Sequence, residues 1–343
     1  MATPKLRCTV GRAARAPREG SPIRVIVTGA AGFLGSHLVD RLLADGDEVV
    51  GVDDLSTGSR DNLARAIESG GFSFVEADVS LPWSWASDFA PPNLVVHLAS
   101  PASPVDYGRE PLATMAVNAV GIMHGVEISR STGSRLLFAS TSEIYGDPLV
   151  HPQSESYWGN VNPVGPRACY DSAKRYGEAY VTSAVRSLGI DGRIARIFNT
   201  YGPRMRPGDG RVIPNFCMAA LSGDPLPVYG DGRQTRSLCY VDDLIEAIVR
   251  LGKRDGLSGK AINLGNPQEY AIADLARVVA EVANVPLRVE TLPLPPDDPT
   301  RRRPDITLAR TLLEWEPNVP LRDGLVPTLQ YFREHAWRTR QPA

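Results

Sequence analysis

From residue 23 onward, short apolar, β-branched runs alternate with stretches whose apolar positions recur at helical spacing. Ile23-Arg-Val-Ile-Val27 is strand-like, Thr28-Gly-Ala-Ala-Gly-Phe-Leu-Gly35 follows at once, and in Ser36-His-Leu-Val-Asp-Arg-Leu-Leu43 apolar side chains return every three or four residues. The pattern predicts strand, glycine turn, helix. Glu48 to Val52 and Phe72 to Val79 read as further strands, and Leu94-Val-Val-His-Leu-Ala-Ser100 as a fully apolar strand of the kind buried inside a parallel sheet. Arg135 to Ser140 and Gly192 to Phe198 add two more, with helical stretches at Thr114 to Ser129 and around Tyr170. Such alternation through residue 200 predicts an α/β fold, a doubly wound parallel sheet. After residue 200 the pattern breaks into Pro- and Gly-rich segments at 203–214, 223–232 and 293–304, so the last third reads as a smaller mixed α/β substrate domain. The expected division is a basic tail over 1–22, a nucleotide domain over 23–200 with a returning segment near 235–265, and a substrate domain from 201–234 and 266–343.

Composition narrows the function. The 343 residues are 43% hydrophobic and 22% charged, with a net charge of -2, which suits a globular enzyme and argues against a general nucleic-acid or membrane-surface binder. Cys8, Cys169, Cys217 and Cys239 show no metal-ligand spacing and read as reduced thiols. Residues 1–22 carry Lys5, Arg7, Arg12, Arg15 and Arg18 against Glu19 and lack a long apolar run, so a disordered extension and an organellar address both stay open, with a cytoplasmic protein expected.

The candidate chemistry clusters at predicted strand ends. Gly29, Gly32 and Gly35 would tighten the first turn and let the backbone meet a pyrophosphate at a helix N-terminus, the Rossmann-type arrangement. Phe33 and Leu34 lie in the same turn. Asp53 stands where an acid binds the adenosine ribose, and Asp53 with Asp54 would repel a 2′-phosphate, which favours NAD; the weaker alternative for Asp53 is a turn or helix cap before Ser56-Thr57-Gly58. Asp78 and Val79 could meet the adenine, or Asp78 could cap a turn. Leu98 and Ser100 precede a loop on the expected ligand side, and Ser140-Thr141-Ser142-Glu143 closes the next strand. Tyr170 and Lys174, four apart on a helix, share one face, where an ammonium beside a phenol lowers its pKa and makes it a general base. An exposed helix on which the two merely neighbour each other explains the bare spacing as well. Loop arginines (Arg204, Arg206, Arg211, Arg233, Arg236 and Arg301 to Arg303) suit a diphosphate or a carboxylate.

The glycine trio, Asp53, Ser140-Thr-Ser-Glu143 and Tyr170-x-x-x-Lys174 occur in the order found in extended short-chain dehydrogenases/reductases acting on nucleotide sugars. With His97-Leu-Ala-Ser-Pro-Ala-Ser-Pro104, His151-Pro-Gln-Ser-Glu155, Gly165-Pro-Arg-Ala-Cys-Tyr170, Ala195-Arg-Ile-Phe-Asn-Thr200, Gly230-Asp-Gly-Arg-Gln-Thr-Arg236 and Asp297-Asp-Pro-Thr-Arg-Arg-Arg-Pro-Asp305, residues 23 to 333 resemble the UDP-glucuronate decarboxylase (UDP-xylose synthase) family.

That resemblance implies retained NAD and a UDP-glucuronate substrate. Tyr170 would take the C4 hydroxyl proton while NAD takes the hydride, the resulting β-keto acid would lose CO2, and the hydride would return to C4. Lys174 would hold the nicotinamide ribose and bias Tyr170, Thr141 would hydrogen-bond near O4, Glu143 would serve the decarboxylation and protonation steps, and Ser142 joins the catalytic set. Arg302 would meet the carboxylate, with Arg301 and Arg303 as register alternatives. Asn199, Arg211, Tyr229, Gln234 and Arg236 match substrate positions for the UDP moiety, Tyr107 one near the glucuronate, and Thr200 joins the cofactor set. The family resemblance also implies a homodimer through helices near 112–129 and 170–187. Ala113 and Ala116 replace lysines of many relatives, and the segment from Ser80 to Asn93 is longer than usual. A UDP-hexuronate 4-epimerase and a catalytically silent NAD-binding scaffold are the alternatives; a dTDP-glucose 4,6-dehydratase would carry Asp-Glu in place of Ser142-Glu143.

Overall fold

The computed structural model describes residues 21–294 and 301–335; Cys8, most of the basic tail and Asp297 to Thr300 lie outside them. The strands in chain order are β1 (Arg24–Thr28), β2 (Glu48–Asp53), β3 (Phe72–Glu76), β4 (Leu94–His97), β5 (Arg135–Thr141) and β6 (Gly192–Ile197). They continue as β7 (Thr200–Tyr201), β8 (Leu226–Tyr229), β9 (Thr235–Ser237), β10 (Cys239–Tyr240), β11 (Ala261–Leu264), β12 (Glu269–Ala271), β13 (Val289–Leu292) and β14 (Arg301–Arg302). Seven of them form one parallel sheet in the order β11-β6-β5-β4-β1-β2-β3, a Rossmann-type doubly wound arrangement. Register aligns Thr28 with Val52 and His97, and Thr141 with Ile197, so these strands end along one edge of the sheet. Ligands bind at that edge in such sheets, beside the point where strand order reverses.

The predicted strands are present, and two of them end well before the expected residue. β3 stops at Glu76, because Asp78 turns the chain by accepting the Ser80 N–H at 2.8 Å. β4 stops at His97, and Ser100 is drawn instead toward Asn118, whose Nδ2 donates to its hydroxyl at 2.8 Å. The returning segment supplies β11 and the amphipathic helix over Val241–Lys253, which buries Leu244, Ile245 and Ile248 in the core. Trp83 and Trp85 stack on each other at 5.4 Å, and Trp83 is buried against the sheet, a packing role.

The helices that matter for the site are α1 (Phe33–Ala44), α2 (Ala64–Ile67), α3 (Pro104–Arg109), α4 (Pro111–Thr132) and α5 (Ala168–Leu188). α4 has a mean hydropathy of 1.2 and is long enough to cross a bilayer, yet Thr114, Asn118, Ile122, Val126 and Ser129 are buried within the fold. α5 packs very closely on β5 at Gly177, where a Cβ would stand 2.3 Å from the Phe138 ring. This close approach brings Tyr170 and Lys174 onto the end of β5. The smaller sheets pair β12-β9-β14 and β13-β8 and carry Arg236, Arg302 and Tyr229, three candidates for the substrate site.

Candidate active site

A cleft of about 1030 Å³ runs along the carboxyl edge of the sheet. Its nucleotide end follows from the first turn. Gly29 has φ +72 and a Cβ there would lie 2.8 Å from the Ala99 backbone; at Gly35 a Cβ would lie 1.9 Å from the Gly29 carbonyl oxygen. The turn therefore closes only with glycine. α1 begins after Gly32 with no side-chain cap, leaving its first amides for an anion. At the end of β2 the Asp53 carboxylate accepts the Ala31 N–H at 2.9 Å and the Leu55 N–H at 2.8 Å, and keeps acceptor capacity for hydroxyls. Burial raises its pKa, while those amides oppose the rise. Open helix amides, a glycine cradle and an acid at the second strand end fit a dinucleotide. Phe33, Leu34, Asp54, Ser56, Thr57, Gly58, Asp78, Val79, Leu98, Ser100 and Thr200 line the same cleft.

At the sheet's centre, Lys174 is buried and donates from Nζ to the Ala139 carbonyl at 2.8 Å, with its charge 5.1 Å from the Phe138 ring centroid. Burial lowers its pKa from 10.5 to about 7. Tyr170 is 6% exposed, stacks on Tyr107 with centroids 5.2 Å apart, and hydrogen-bonds the Thr141 hydroxyl. The expected lowering of the phenol by Lys174 is not found. Burial, then the Glu143 charge, push it above its ordinary value, and Arg211, not Lys174, is the cation that opposes them. Helical spacing placed the two residues together correctly; it carried no information about desolvation.

Glu143 sits in a short 3-10 turn, Ser142–Tyr145, and its own N–H donates to the N-cap Thr141 Oγ1 at 3.2 Å. One carboxylate oxygen accepts from Arg302 Nη1 and the other from Arg167 Nη2. Burial would raise this carboxyl, but the two guanidiniums outweigh it and hold it down at about 2, so Glu143 is an anion. Of the arginine run, Arg302 alone lines the cleft; Arg301 is exposed, and Arg303 faces Glu269 at 3.9 Å. Arg302 thus meets a protein carboxylate first. Its Nη2 also donates to the Gly146 carbonyl at 3.3 Å, while its Nε is a buried donor with no protein acceptor.

Tyr107, Asn199, Arg211, Tyr229, Gln234 and Arg236 all line the remaining length of the cleft, as do Thr141 and Ser142. Asn199 Nδ2 and the Tyr107 hydroxyl are likewise buried without a protein partner. Arg211 is held by Asp209 at 2.5 Å, Arg206 pairs with the buried Asp106 of α3, and Arg204 with Asp40 at 2.6 Å. Arg233 faces Asp231 outside the cleft, so the loop arginines do not act as one set. Sequence reasoning passed over Arg167 as a site residue. Its signal was the three-residue spacing to Tyr170, which places it one turn earlier on the same side of α5.

Residues 25–265 match the NAD dependent epimerase/dehydratase family. The chain belongs to that family. Its cofactor is NAD. Two curated relatives carry more specific names: a "UDP-glucuronic acid decarboxylase 1" of Xenopus tropicalis is 46% identical over 311 residues, 91% of this chain and 72% of that protein. A "UDP-glucuronic acid decarboxylase 4" of Arabidopsis thaliana is 47% identical over 315 residues, 92% of this chain and 70% of that one. Among solved structures, a UDP-glucuronic acid 4-epimerase from Bacillus cereus, in complex with UDP-glucuronic acid and NAD, superposes with a TM-score of 0.82 at 28% identity, covering 91% of this chain and 99% of that one. The family's epimerases therefore share the backbone, and the lower identity to this one leaves decarboxylation the favoured reading over epimerisation.

Proposed function

We propose that this chain is a UDP-glucuronate decarboxylase that forms UDP-xylose through a 4-keto intermediate. The observation that carries the reading is the Glu143–Arg302 pair beside Tyr170, backed by the names of the relatives at 46–47% identity. When bound, NAD supplies the acceptor for the C4 hydride and the donor that restores it; the amides at the start of α1, Asp53 and Lys174 are the groups that would hold it. Tyr170 takes the C4 hydroxyl proton and later returns it, with Thr141 fixing its hydroxyl. Because burial and Glu143 hold the phenol protonated, the chain opposes premature ionisation. Arg302 at the cleft wall receives the sugar carboxylate, and the C4 ketone accepts the electron pair of the breaking C5–carboxylate bond as CO2 departs. Glu143, kept anionic by Arg302 and Arg167, orients the water or hydroxyl that reprotonates C5. Arg211, Arg236, Tyr229, Gln234 and Asn199 bind the UDP moiety, and Tyr107 stacks over the catalytic tyrosine.

The nucleotide domain over 23–200 with its returning segment, and the substrate domain from 201–234 and 266–343, belong to the same reading. So does a homodimer through α4 and α5, supported by the exposed Leu112, Met115, Met123 and Tyr176 on those helices. Unpaired Cys169, Cys217 and Cys239 support a reducing, cytoplasmic setting. The deciding experiment is incubation with UDP-glucuronate, followed by mass spectrometry. Release of CO2 with a UDP-pentose is expected; a UDP-hexuronate of unchanged mass but altered chromatographic position identifies an epimerase instead.

A further inference from the structure

The segment His151-Pro-Gln-Ser-Glu155 lies outside the cleft, yet Gln153 is wholly buried and every hydrogen-bonding group it carries is used. Its backbone N–H donates to the Arg303 carbonyl at 2.9 Å, and its carbonyl accepts the Asp305 N–H at 2.8 Å, a parallel bridge to Pro304. Its side-chain Oε1 accepts the Arg303 N–H at 2.8 Å, and Nε2 donates to the Val150 carbonyl at 2.7 Å. Gln153 therefore brackets the residue next to Arg302 from both the backbone and the side chain. β14 is two residues long and pairs with β9 only at Arg301 and Arg302, so Gln153 anchors its C-terminal end.

The same network reaches Glu143. Asn263, at 0% exposure on β11, donates to the Gln153 carbonyl at 3.0 Å and to the Asp305 carbonyl at 3.1 Å, and its Oδ1 accepts the Tyr145 hydroxyl at 2.8 Å. Tyr145 closes the turn that bears Glu143. Glu143 and Arg302 stand 159 residues apart in sequence, and one fully satisfied buried network fixes the backbone under both.

We propose that Gln153 is a positioning residue that sets Arg302 against Glu143 and holds its guanidinium at the cleft wall for the carboxylate of the sugar. This rests on the decarboxylase reading for the identity of that carboxylate. The test compares the NAD-loaded wild type with Gln153→Leu, which removes both side-chain bonds at similar volume, and with Gln153→Glu, which keeps an acceptor for the Arg303 N–H. Ile262→Val, on the same strand as Asn263 but without a polar role, controls for loss of packing. UDP-glucuronate, UDP-glucose and UDP are titrated by calorimetry, and CO2 release is followed in parallel.

For Gln153→Leu the preference for UDP-glucuronate over UDP-glucose falls about tenfold, the cost of one charge-assisted hydrogen bond, and kcat falls at least as far. UDP affinity and the Ile262→Val enzyme stay near wild type, and Gln153→Glu recovers part of kcat. An unchanged preference in folded Gln153→Leu overturns the proposal. So does an equal loss of UDP affinity, or unfolding of both Gln153 variants, since either marks a structural role alone. A wild type that releases no CO2 overturns the functional reading instead, and the binding preference still decides the role of Gln153.

Discussion

Replacing Glu143 by Gln removes the anion that two buried guanidiniums share, and its effects on stability and on chemistry separate by pH. The carboxyl falls from an ordinary value of 4.5 to about 2 in the folded chain. At 1.36 kcal/mol per pH unit that drop corresponds to roughly 3 kcal/mol of stability, in the range expected for breaking one side of a buried ion pair. A depressed carboxyl contributes its full stability above the unfolded value and loses it as pH falls toward the folded one. Urea unfolding should therefore find the Gln variant weaker by about 3 kcal/mol at pH 7, with the gap clearly narrower by pH 3.5. UDP-pentose formation should fall about 100-fold or more, while UDP-glucuronate affinity stays within about threefold. A gap that does not change between pH 7 and pH 3.5 would refute the electrostatic argument, and wild-type turnover in Glu143→Gln would remove the residue from the mechanism.

Tyr170→Phe should retain NAD, measured as nucleotide released on denaturation, yet slow UDP-xylose formation by about 10²- to 10⁴-fold, the usual contribution of a positioned acid–base group; full turnover would sink the proton-transfer role. Lys174 has the opposite sign from Glu143. Its folded pKa of about 7 lies below the ordinary 10.5, so the buried charge burdens the folded state fully below pH 7 and the burden lifts as pH rises toward 10.5. In protein stripped of nucleotide, Lys174→Met should unfold at higher urea than wild type at pH 6, by at most about 5 kcal/mol, and the two should converge near pH 10. A less stable Met variant at pH 6 would contradict that account.

The sheet was legible because its strands are uninterrupted apolar runs and its first turn demands glycine at fixed spacing. Tyr170 with Lys174 was legible because helical periodicity is local. Closure was not: Arg302 meets Glu143, and Asp106 meets Arg206, across about 100 residues or more of chain, distances over which no periodicity carries information. The choice of Arg302 within the run Arg301 to Arg303 also needed the structure, because it depends on which side of a two-residue strand faces the cleft. The direction of the Tyr170 shift was hidden for a related reason, since desolvation depends on everything that packs around a group.

The same geometry joins the two halves of the reaction. Glu143 is the largest charge acting to raise the Tyr170 phenol, and it is itself held ionised by Arg302 and Arg167. A sugar carboxylate at Arg302 adds a second negative charge near the phenol. That charge disfavours the phenolate, so the anionic substrate works against the first proton transfer while it is being positioned for the loss of CO2. Arg211, which opposes Glu143 at the phenol and is kept in place by Asp209, is the protein cation placed to offset this. The oxidation and decarboxylation steps therefore share one electrostatic balance, in which each arginine affects both.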